Sequence, residues 1–281
     1  MKKLPVLLGM LFLLFVASSC SDYLYPSGKG AKRAYKKTLK EKRKGYNHFT
    51  PVKLSLDSLK VKQWVAPSPN FNIRQPDLVI IHHTAQEGCK ISLKTLTRAN
   101  TNRKVSAHFL ICGDGTIYQL VDEKYRAWHA GASRWGNMQD INSVSLGIEI
   151  DNDGHEPFSS AQIKSLLVLL SSIENRYGIR RGNFIGHADV APTRKQDPSV
   201  YFPWRTLAAH GFGYAVDAYL PPVPEGFNVI AALRLIGYDI RDKKAAIIAF
   251  KRHYIQTDLD PSFTPLQKRM LYNIYLKYLQ E

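Results

Sequence analysis

The 281-residue sequence has little cysteine, a shortage of acidic residues and no apolar run long enough to cross a membrane. Three cysteines cannot form a disulfide framework for a chain of this length, so a hydrophobic core must carry the fold. The apolar run at residues 6–17 would extend about 18 Å as a helix, short of the roughly 30 Å of a bilayer core. With 44% hydrophobic residues, 12 Phe, 4 Trp and 15 Tyr, the sequence also excludes low complexity and wholesale disorder.

The shortage of acid leaves 39 Lys and Arg against 23 Asp and Glu, a formal charge of +16. Nine of the basic residues lie between Gly28 and Gly45, with Glu41 as the one acid among them. This segment has few apolar residues and no sustained period, which predicts a solvated tether. Beside a lipid anchor it also suits anionic headgroups, at about 1 kcal/mol per basic residue. Nucleic-acid binding needs such charges on a folded face, so we expect no nucleic-acid partner.

The N-terminal residues have the pattern of an export signal. Two lysines precede the apolar run, and two serines and then Cys20 follow it. This ending resembles the bacterial lipobox, which implies cleavage before Cys20 and anchoring by several acyl chains. A plain secretory signal with an incidental cysteine is the alternative. We therefore predict a lipoprotein signal peptide at residues 1–19 and a basic tether at 20–65. Cys89 and Cys112 would then lie in an oxidising compartment, and their spacing leaves open whether they pair.

Short apolar runs predict the strands of one domain. Residues 78–81 form a continuous apolar run, typical of a strand that is buried on both faces. Residues 108–112 and 116–121 flank an Asp-Gly pair, which is the turn signal of a β-hairpin. A further strand is predicted over residues 144–150. Because strands and helices interleave, we expect an α/β fold with a mixed central sheet flanked by helices.

Capping residues mark two helices of this domain. Ser92 is predicted to cap the first helix. Ser159 and Gln162 form a capping box in front of a longer helix, whose apolar stripe ends at Gly178.

A second, smaller unit is predicted after the α/β domain, which we assign to residues 66–215. Residues 216–227 are rich in Pro and Gly and are predicted to be a linker. Three short helical patterns follow in residues 228–281, with Asp242 and Thr264 placed to cap the second and third. We therefore expect a small three-helix domain at the C-terminus.

Polar residues follow buried strands at two points in the sequence. His82 and His83 come directly after the first apolar run, and His187 follows another short apolar stretch. Asp197 lies ten residues beyond His187. Two imidazoles and a carboxylate, with one position left for water, form a catalytic zinc set. Spacing alone leaves satisfied core histidines and an Asp-Pro turn as the alternative.

Two further residues are candidates for catalysis. Glu149 lies in an apolar strand, where burial disfavours the charged carboxylate and suits a general acid or base. Lys195 is two residues from Asp197, so a turn that holds Asp197 to a metal would bring this ammonium close to the site. There it could stabilise an oxyanion.

Five segments occur in an order that resembles the zinc-dependent N-acetylmuramoyl-L-alanine amidases. These are the type 2 amidases, which are kin to the peptidoglycan recognition proteins. The resemblance covers residues 68–213, about half of the chain. The segments are VIIHHTA at 79–85, SAHFL at 106–110, AWHAG at 127–131, LGIE at 146–149, and GHADVAP at 186–192 with KQDP at 195–198.

This resemblance implies a metal site and a catalytic pair. One Zn²⁺ per chain is implied on His82, His187 and Asp197. The acid/base residue of the family falls on Glu149, and its oxyanion-stabilising lysine falls on Lys195.

The resemblance also implies residues that line the substrate groove, namely His108, Trp128 and His129. Orienting the metal ligands, or filling the floor of the cleft, is the alternative role for them. His83 leaves a choice between two adjacent histidines for the metal. Side chains alternate along a strand, so only one can face the site, and the motif register favours His82.

The implied activity is hydrolysis of the amide between the lactyl group of N-acetylmuramic acid and L-alanine of the stem peptide. It would act on peptidoglycan or muropeptides in cell-wall turnover. A non-catalytic peptidoglycan-binding lipoprotein and a zinc peptidase with another substrate are the alternatives. The C-terminal helices resemble three-helix peptidoglycan-binding domains, with a helical cap on the catalytic domain as the other interpretation. We expect a monomer on the periplasmic face of the membrane, with the outer membrane favoured.

Overall fold

The computed structural model describes residues 29–42, 63–65, 71–73, 76–98 and 104–280. The predicted signal peptide and Cys20 lie outside these residues, as does most of the predicted tether. Among the described residues, none of the helices combines the length and apolar character that a membrane crossing requires.

A mixed sheet forms the centre of the fold. Its strands are β1 (Gln63–Val65), β3 (Leu78–His83), β4 (Phe109–Ile111), β5 (Ile117–Gln119), β7 (Ser145–Ile150) and β8 (Phe184–Gly186). Within the described residues the order is β1-β5-β4-β7-β3-β8, with β4 and β5 antiparallel and the other neighbours parallel. A separate antiparallel pair joins β2 (Phe71–Ile73) to β6 (Tyr125–Ala127).

Helices cover both faces of this sheet. They are α1 (Lys29–Lys42), α2 (Cys89–Thr97), α3 (Ile141–Val144), α4 (Ser160–Tyr177), α5 (His187–Val190), α6 (Trp204–Ala209), α7 (Val229–Ile236), α8 (Lys243–Tyr254) and α9 (Pro265–Leu279). The predicted α/β fold with a mixed sheet and flanking helices is confirmed.

Alternate residues of β3 belong to two different cores. Val79 and Ile81 lie in a cluster with the apolar stripe of α4. Leu78 and Ile80 lie in a second cluster, which includes Leu233 of α7 and residues of α8 and α9. The continuous apolar run of β3 follows from this arrangement, because both faces of a strand between two helical layers exclude water.

The C-terminal helices therefore form a layer that packs against the central sheet. The three helices occur where the sequence predicts them, and the Asp242 and Thr264 side chains accept the expected capping hydrogen bonds. Their apolar faces share one core with the sheet. This packing fits the interpretation of a helical cap on the sheet.

The predicted capping box of α4 is confirmed, and the predicted capping of α2 by Ser92 is wrong. The side chains of Ser159 and Gln162 form the reciprocal capping bonds of α4. Ser92 does not cap α2, because this helix already begins at Cys89. The Ser92 hydroxyl instead donates to the Asp151 carboxylate at 2.6 Å and so joins α2 to the end of β7.

The basic segment is not a tether without structure. Residues 29–42 form α1, and Tyr35 is buried in a cluster with Leu96, Leu110 and Tyr125. Ala31, Tyr35 and Leu39 recur at four-residue spacing, which is typical of one helical face, so the expectation of no sustained period was wrong for this segment.

The two cysteines of the folded part form a disulfide. Cys89 begins α2, and Cys112 directly follows β4. The sequence left this pairing open because separation along the chain carries no geometry. The bond fixes the start of α2 to the central sheet.

We expect the sheet and the C-terminal helices to unfold together. Leu233 is fully buried in their common core, and Leu235 on the same helix is 62% exposed. Leu233→Ala should lower the free energy of unfolding by about 2–5 kcal/mol, because it leaves a cavity in that core. Leu235→Ala is the matched control and should change it by about 0.5 kcal/mol or less.

Amide hydrogen exchange of β7 in mild denaturant measures this coupling, because this strand lies outside the helices that carry the substitution. Protection of the β7 amides that does not fall in the Leu233→Ala variant would contradict a common core.

Candidate metal centre and active site

Two neighbouring parallel strands bring the candidate histidines together. His82 lies near the end of β3, and His187 follows Gly186, the last residue of β8. Because Ile81 is paired with Gly186 across these strands, the two histidines leave the sheet side by side. The chain then returns to Asp197, whose carbonyl accepts a hydrogen bond from the backbone N–H of Ala188 at 2.7 Å.

The three side chains converge on one point. Nδ1 of His82 lies 2.9 Å from Nδ1 of His187 and 3.0 Å from Oδ2 of Asp197. Nδ1 of His187 and Oδ2 of Asp197 are 2.9 Å apart. All three residues are buried. Together they form a group that is able to hold a metal ion.

The hydrogen bonding of His187 fixes which of its nitrogens carries the proton. Nε2 of His187 lies 3.1 Å from the carbonyl oxygen of Ala130. A carbonyl oxygen only accepts, so Nε2 must be the donor. In the neutral ring, Nδ1 then carries a lone pair that points toward His82 and Asp197.

A chain of hydrogen bonds fixes the proton of His82 in the same way. The Ser145 hydroxyl donates to the carbonyl of Ile141 at 2.6 Å, so its oxygen accepts from Nε2 of His129 at 3.3 Å. Nδ1 of His129 is therefore an acceptor, and Nε2–H of His82 donates a hydrogen bond to it at 3.1 Å. The lone pair of His82 is left on Nδ1.

Three electron-pair donors thus face one another with no proton between them. Burial, followed by the neighbouring His187, lowers the pKa of His82 to about 4, so this ring is neutral at pH 7. The Asp197 carboxylate adds negative charge to the same small volume. A bound cation is what such a buried set requires, and two imidazole nitrogens with one carboxylate oxygen match the ligands of catalytic zinc.

A carboxylate and an ammonium lie beside this set. Glu149 of β7 is the register partner of His82, and its Oε2 is shielded from solvent without a hydrogen-bond partner among the described residues. Burial, and then the charge of Asp197, raises the pKa of Glu149 well above its usual range. The charge of Lys195 opposes that rise and also acts on His82. The structure thus brings the three predicted ligands together, with Glu149 and Lys195 within electrostatic reach of them.

Comparison with known proteins agrees with this geometry. The family model of the N-acetylmuramoyl-L-alanine amidases (Amidase_2) matches residues 72–200. The N-acetylmuramoyl-L-alanine amidase AmiD of Escherichia coli is 36% identical over 212 residues, which are 64% of this chain and 75% of that protein. This chain belongs to the N-acetylmuramoyl-L-alanine amidase family.

Solved structures extend the likeness of this amidase to a larger share of the chain than the family model matches. AmiD from E. coli superposes with a TM-score of 0.64 at 32% identity, over 73% of this chain and 91% of that one. AmpDh3 from Pseudomonas aeruginosa superposes with a TM-score of 0.66 at 26% identity, over 84% and 97%.

His82 belongs to the converging group, and His83 has another partner. Nδ1 of His83 accepts a hydrogen bond from the backbone N–H of Ser199 at 3.2 Å. His83 is not part of the converging group. The motif register had favoured His82, and the alternation of side chains along β3 explains the outcome.

The three residues predicted for the substrate groove have different surroundings. His108 is fully buried, with Nδ1 accepting from Gly147 N–H and Nε2 donating to the Tyr125 carbonyl, each at 3.0 Å. Both ring nitrogens of His108 are used by the backbone, which favours a role in the cleft floor over substrate contact. His129 accepts a hydrogen bond from His82, which fits the alternative role of orienting a ligand rather than contacting substrate. Trp128 is partly exposed and stays a prediction for the groove.

No sequence pattern indicates the groups that orient the histidines. Ala130 acts through its carbonyl, so its side chain carries no signal. Ser145 lies at the start of an apolar strand and looks like a boundary residue. Asn142 accepts from the backbone N–H groups of His129 and Ala130, at 3.0 and 2.9 Å, and so holds the loop that carries both.

We predict that His129 sets the metal affinity of the amidase. His129→Phe removes the acceptor that keeps the proton of His82 on Nε2, so the metal dissociation constant should rise about 10–100-fold. His210→Phe is the control, because His210 is exposed and its Nδ1 bonds only within its own helix. Competition with a chromophoric chelator measures both constants. Equal affinity in the two variants would contradict the orienting role.

Proposed function

We propose that this amidase is a zinc hydrolase that cuts the amide between the lactyl group of N-acetylmuramic acid and L-alanine of the stem peptide. The convergence of three lone pairs from His82, His187 and Asp197 carries this proposal. The AmiD structure that resembles this chain is a complex with anhydro-N-acetylmuramic acid-L-Ala-D-gamma-Glu-L-Lys, and an AmpDh3 structure holds anhydromuramic pentapeptide. These ligands support muropeptides as the substrate class.

The donor set favours zinc as the metal. Three protein ligands, two nitrogen and one oxygen, leave a position open for water or substrate. Bound there, zinc supplies Lewis-acid polarisation of the scissile carbonyl and acidifies water toward a pKa of about 7.

Glu149 is the group that moves the proton in this proposal. Its Oε2 has no partner among the described residues, and its backbone is paired in register with His82, so the carboxylate is available to accept a proton from the attacking water. The raised pKa of Glu149 lets the same carboxyl group hold that proton and deliver it to the departing amine of L-alanine.

Lys195 supports the negative charge that develops on the carbonyl oxygen. Its positive charge acts on both Glu149 and His82, so it lies near the site where the carbonyl would bind. Among the residues that the structure describes, its ammonium forms no ion pair within 4.0 Å, so the charge is available to substrate. A fixed cation at a developing oxyanion lowers the barrier without reorganising solvent.

We predict that Glu149→Gln keeps the metal and loses turnover. The amide fills the same space but cannot accept the proton, so kcat should fall about 10²–10⁴-fold. Glu156→Gln, at an exposed position, is the matched control and should keep full activity. Release of stem peptide from a muropeptide, measured beside the zinc content of each variant, tests this role. Near-normal turnover in a zinc-replete Glu149→Gln protein would refute it.

The same assay with cell-wall sacculi separates the enzyme from a binding protein. Free stem peptides that appear without chelator, and not with it, support hydrolysis. Co-sedimentation with sacculi without any released peptide would instead support peptidoglycan recognition. Fragments cut at another amide would point to a zinc peptidase of different specificity.

We further propose that the amidase is an exported lipoprotein, held through Cys20 at a membrane surface on the periplasmic face. The charged start, the short apolar run and the small residues before Cys20 support this proposal. The Cys89–Cys112 disulfide agrees with an oxidising compartment. Wall turnover favours the outer membrane as the anchoring membrane.

Replacement of Cys20 tests the anchor. Cys20→Ser should abolish incorporation of labelled fatty acid and move the protein from the membrane fraction to the soluble one, because no acyl chain is left. Ser21→Ala is the neighbouring control and should keep both. A wild-type protein that carries no label would instead show a plain secretory signal.

A further inference from the structure

A buried carboxylate connects the C-terminal helices to the turn that carries His187. Asp189 lies in α5, two residues after His187. Its Oδ2 accepts from the backbone N–H of Gly186 and from Nδ1 of His253, each at 2.7 Å. Its Oδ1 accepts from the hydroxyl of Tyr238, also at 2.7 Å. Two of these three donors come from the C-terminal part of the chain.

The position of His253 is tightly defined. Its ring is stacked between Trp204 and Tyr254, with centroid distances of 3.8 and 4.0 Å. Asp189, Tyr238 and His253 are all buried. Three polar groups that are shielded from water and bonded to one another hold fixed directions, since losing any bond leaves a buried group unpaired.

The turn that carries His187 has little stability of its own. Helix α5 has four residues, too few for a helix to hold itself without outside contacts. The space around it is also closed, since a Cβ on Gly186 would lie 2.9 Å from Pro198, the neighbour of the ligand Asp197. Small changes in Asp189 therefore reach both His187 and Asp197.

Stability alone does not explain this polar network. The apolar side chains of α7, α8 and α9 already pack against the sheet, and replacing a buried polar pair by apolar groups is often neutral or stabilising. Hydrogen bonds, unlike apolar contacts, fix the orientation of the groups they join. Here they fix the orientation of Asp189 and therefore of the turn that carries His187.

We propose that the C-terminal helices position the metal ligand His187, with Tyr238 and His253 acting as positioning residues through Asp189. This inference rests on the proposed metal site. Outer groups that orient metal ligands commonly contribute about 10–100-fold to metal affinity. On this account the C-terminal layer is part of the scaffold of the metal centre, and its removal would cost metal binding as well as packing.

Conservative variants of the full chain test the proposal. Tyr238→Phe removes one hydroxyl, and His253→Phe keeps a ring between Trp204 and Tyr254 without its nitrogens. Each should raise the Zn²⁺ dissociation constant about 10-fold or more, measured by chelator competition. His253→Asn returns an amide N–H near the position of Nδ1 and should recover much of the lost affinity.

The control is Tyr254→Phe, whose lost hydroxyl is bonded to that of Tyr278 and not to Asp189. This variant should bind Zn²⁺ as the wild type does. The melting temperature of every metal-free variant is measured alongside, so that each change in Zn²⁺ affinity is compared with the change in stability of the same variant.

Two results would overturn the positioning role. One is wild-type Zn²⁺ affinity in both Tyr238→Phe and His253→Phe. The other is a loss of affinity in Tyr254→Phe that equals theirs, since this would reflect general destabilisation. A wild-type protein that binds no Zn²⁺ is a distinct outcome, because it would overturn the proposed function itself.

Discussion

Three lone pairs that face one another within 3.0 Å are the constraint on which the rest of the structure depends. Such a set is unfavourable in a buried place unless a cation shares it. The fold maintains it by placing His82 and His187 beyond paired residues of β3 and β8 and by returning the chain to Asp197. Nε2 of His187 donates a hydrogen bond to the Ala130 carbonyl, and Nε2 of His82 donates one to His129. These bonds keep both protons on Nε2 and leave both Nδ1 lone pairs facing the site.

The metal centre also explains why the sheet has helices on both faces. Helix α4 covers one face and packs its apolar stripe against the sheet. The C-terminal helices cover the other face and carry Tyr238 and His253 to Asp189, beside the metal ligand. The Pro-rich segment at residues 216–227 marks a change in sequence composition, but the helices after it share a core with the sheet before it.

Most of the elements are predictable from sequence because their signals are local, and the candidate ligand set follows from the family resemblance. Apolar runs locate β3 and β7, capping residues locate α4 and α9, and the order of five short segments indicates the family. The remainder depends on pairs that lie far apart in the chain, such as Asp189 with His253, or on backbone groups such as the Ala130 carbonyl. Ser92 shows the limit of local reasoning, since a residue suited to capping bonds Asp151 in another element.

The most direct test of the metal centre is X-ray absorption at the zinc edge of the zinc-loaded amidase. The account predicts one zinc per chain, with scattering from two imidazoles and from oxygen ligands, and loss of one imidazole contribution in His187→Ala. A zinc environment with sulfur ligands, or one that is unchanged when His187 is replaced, would contradict the account.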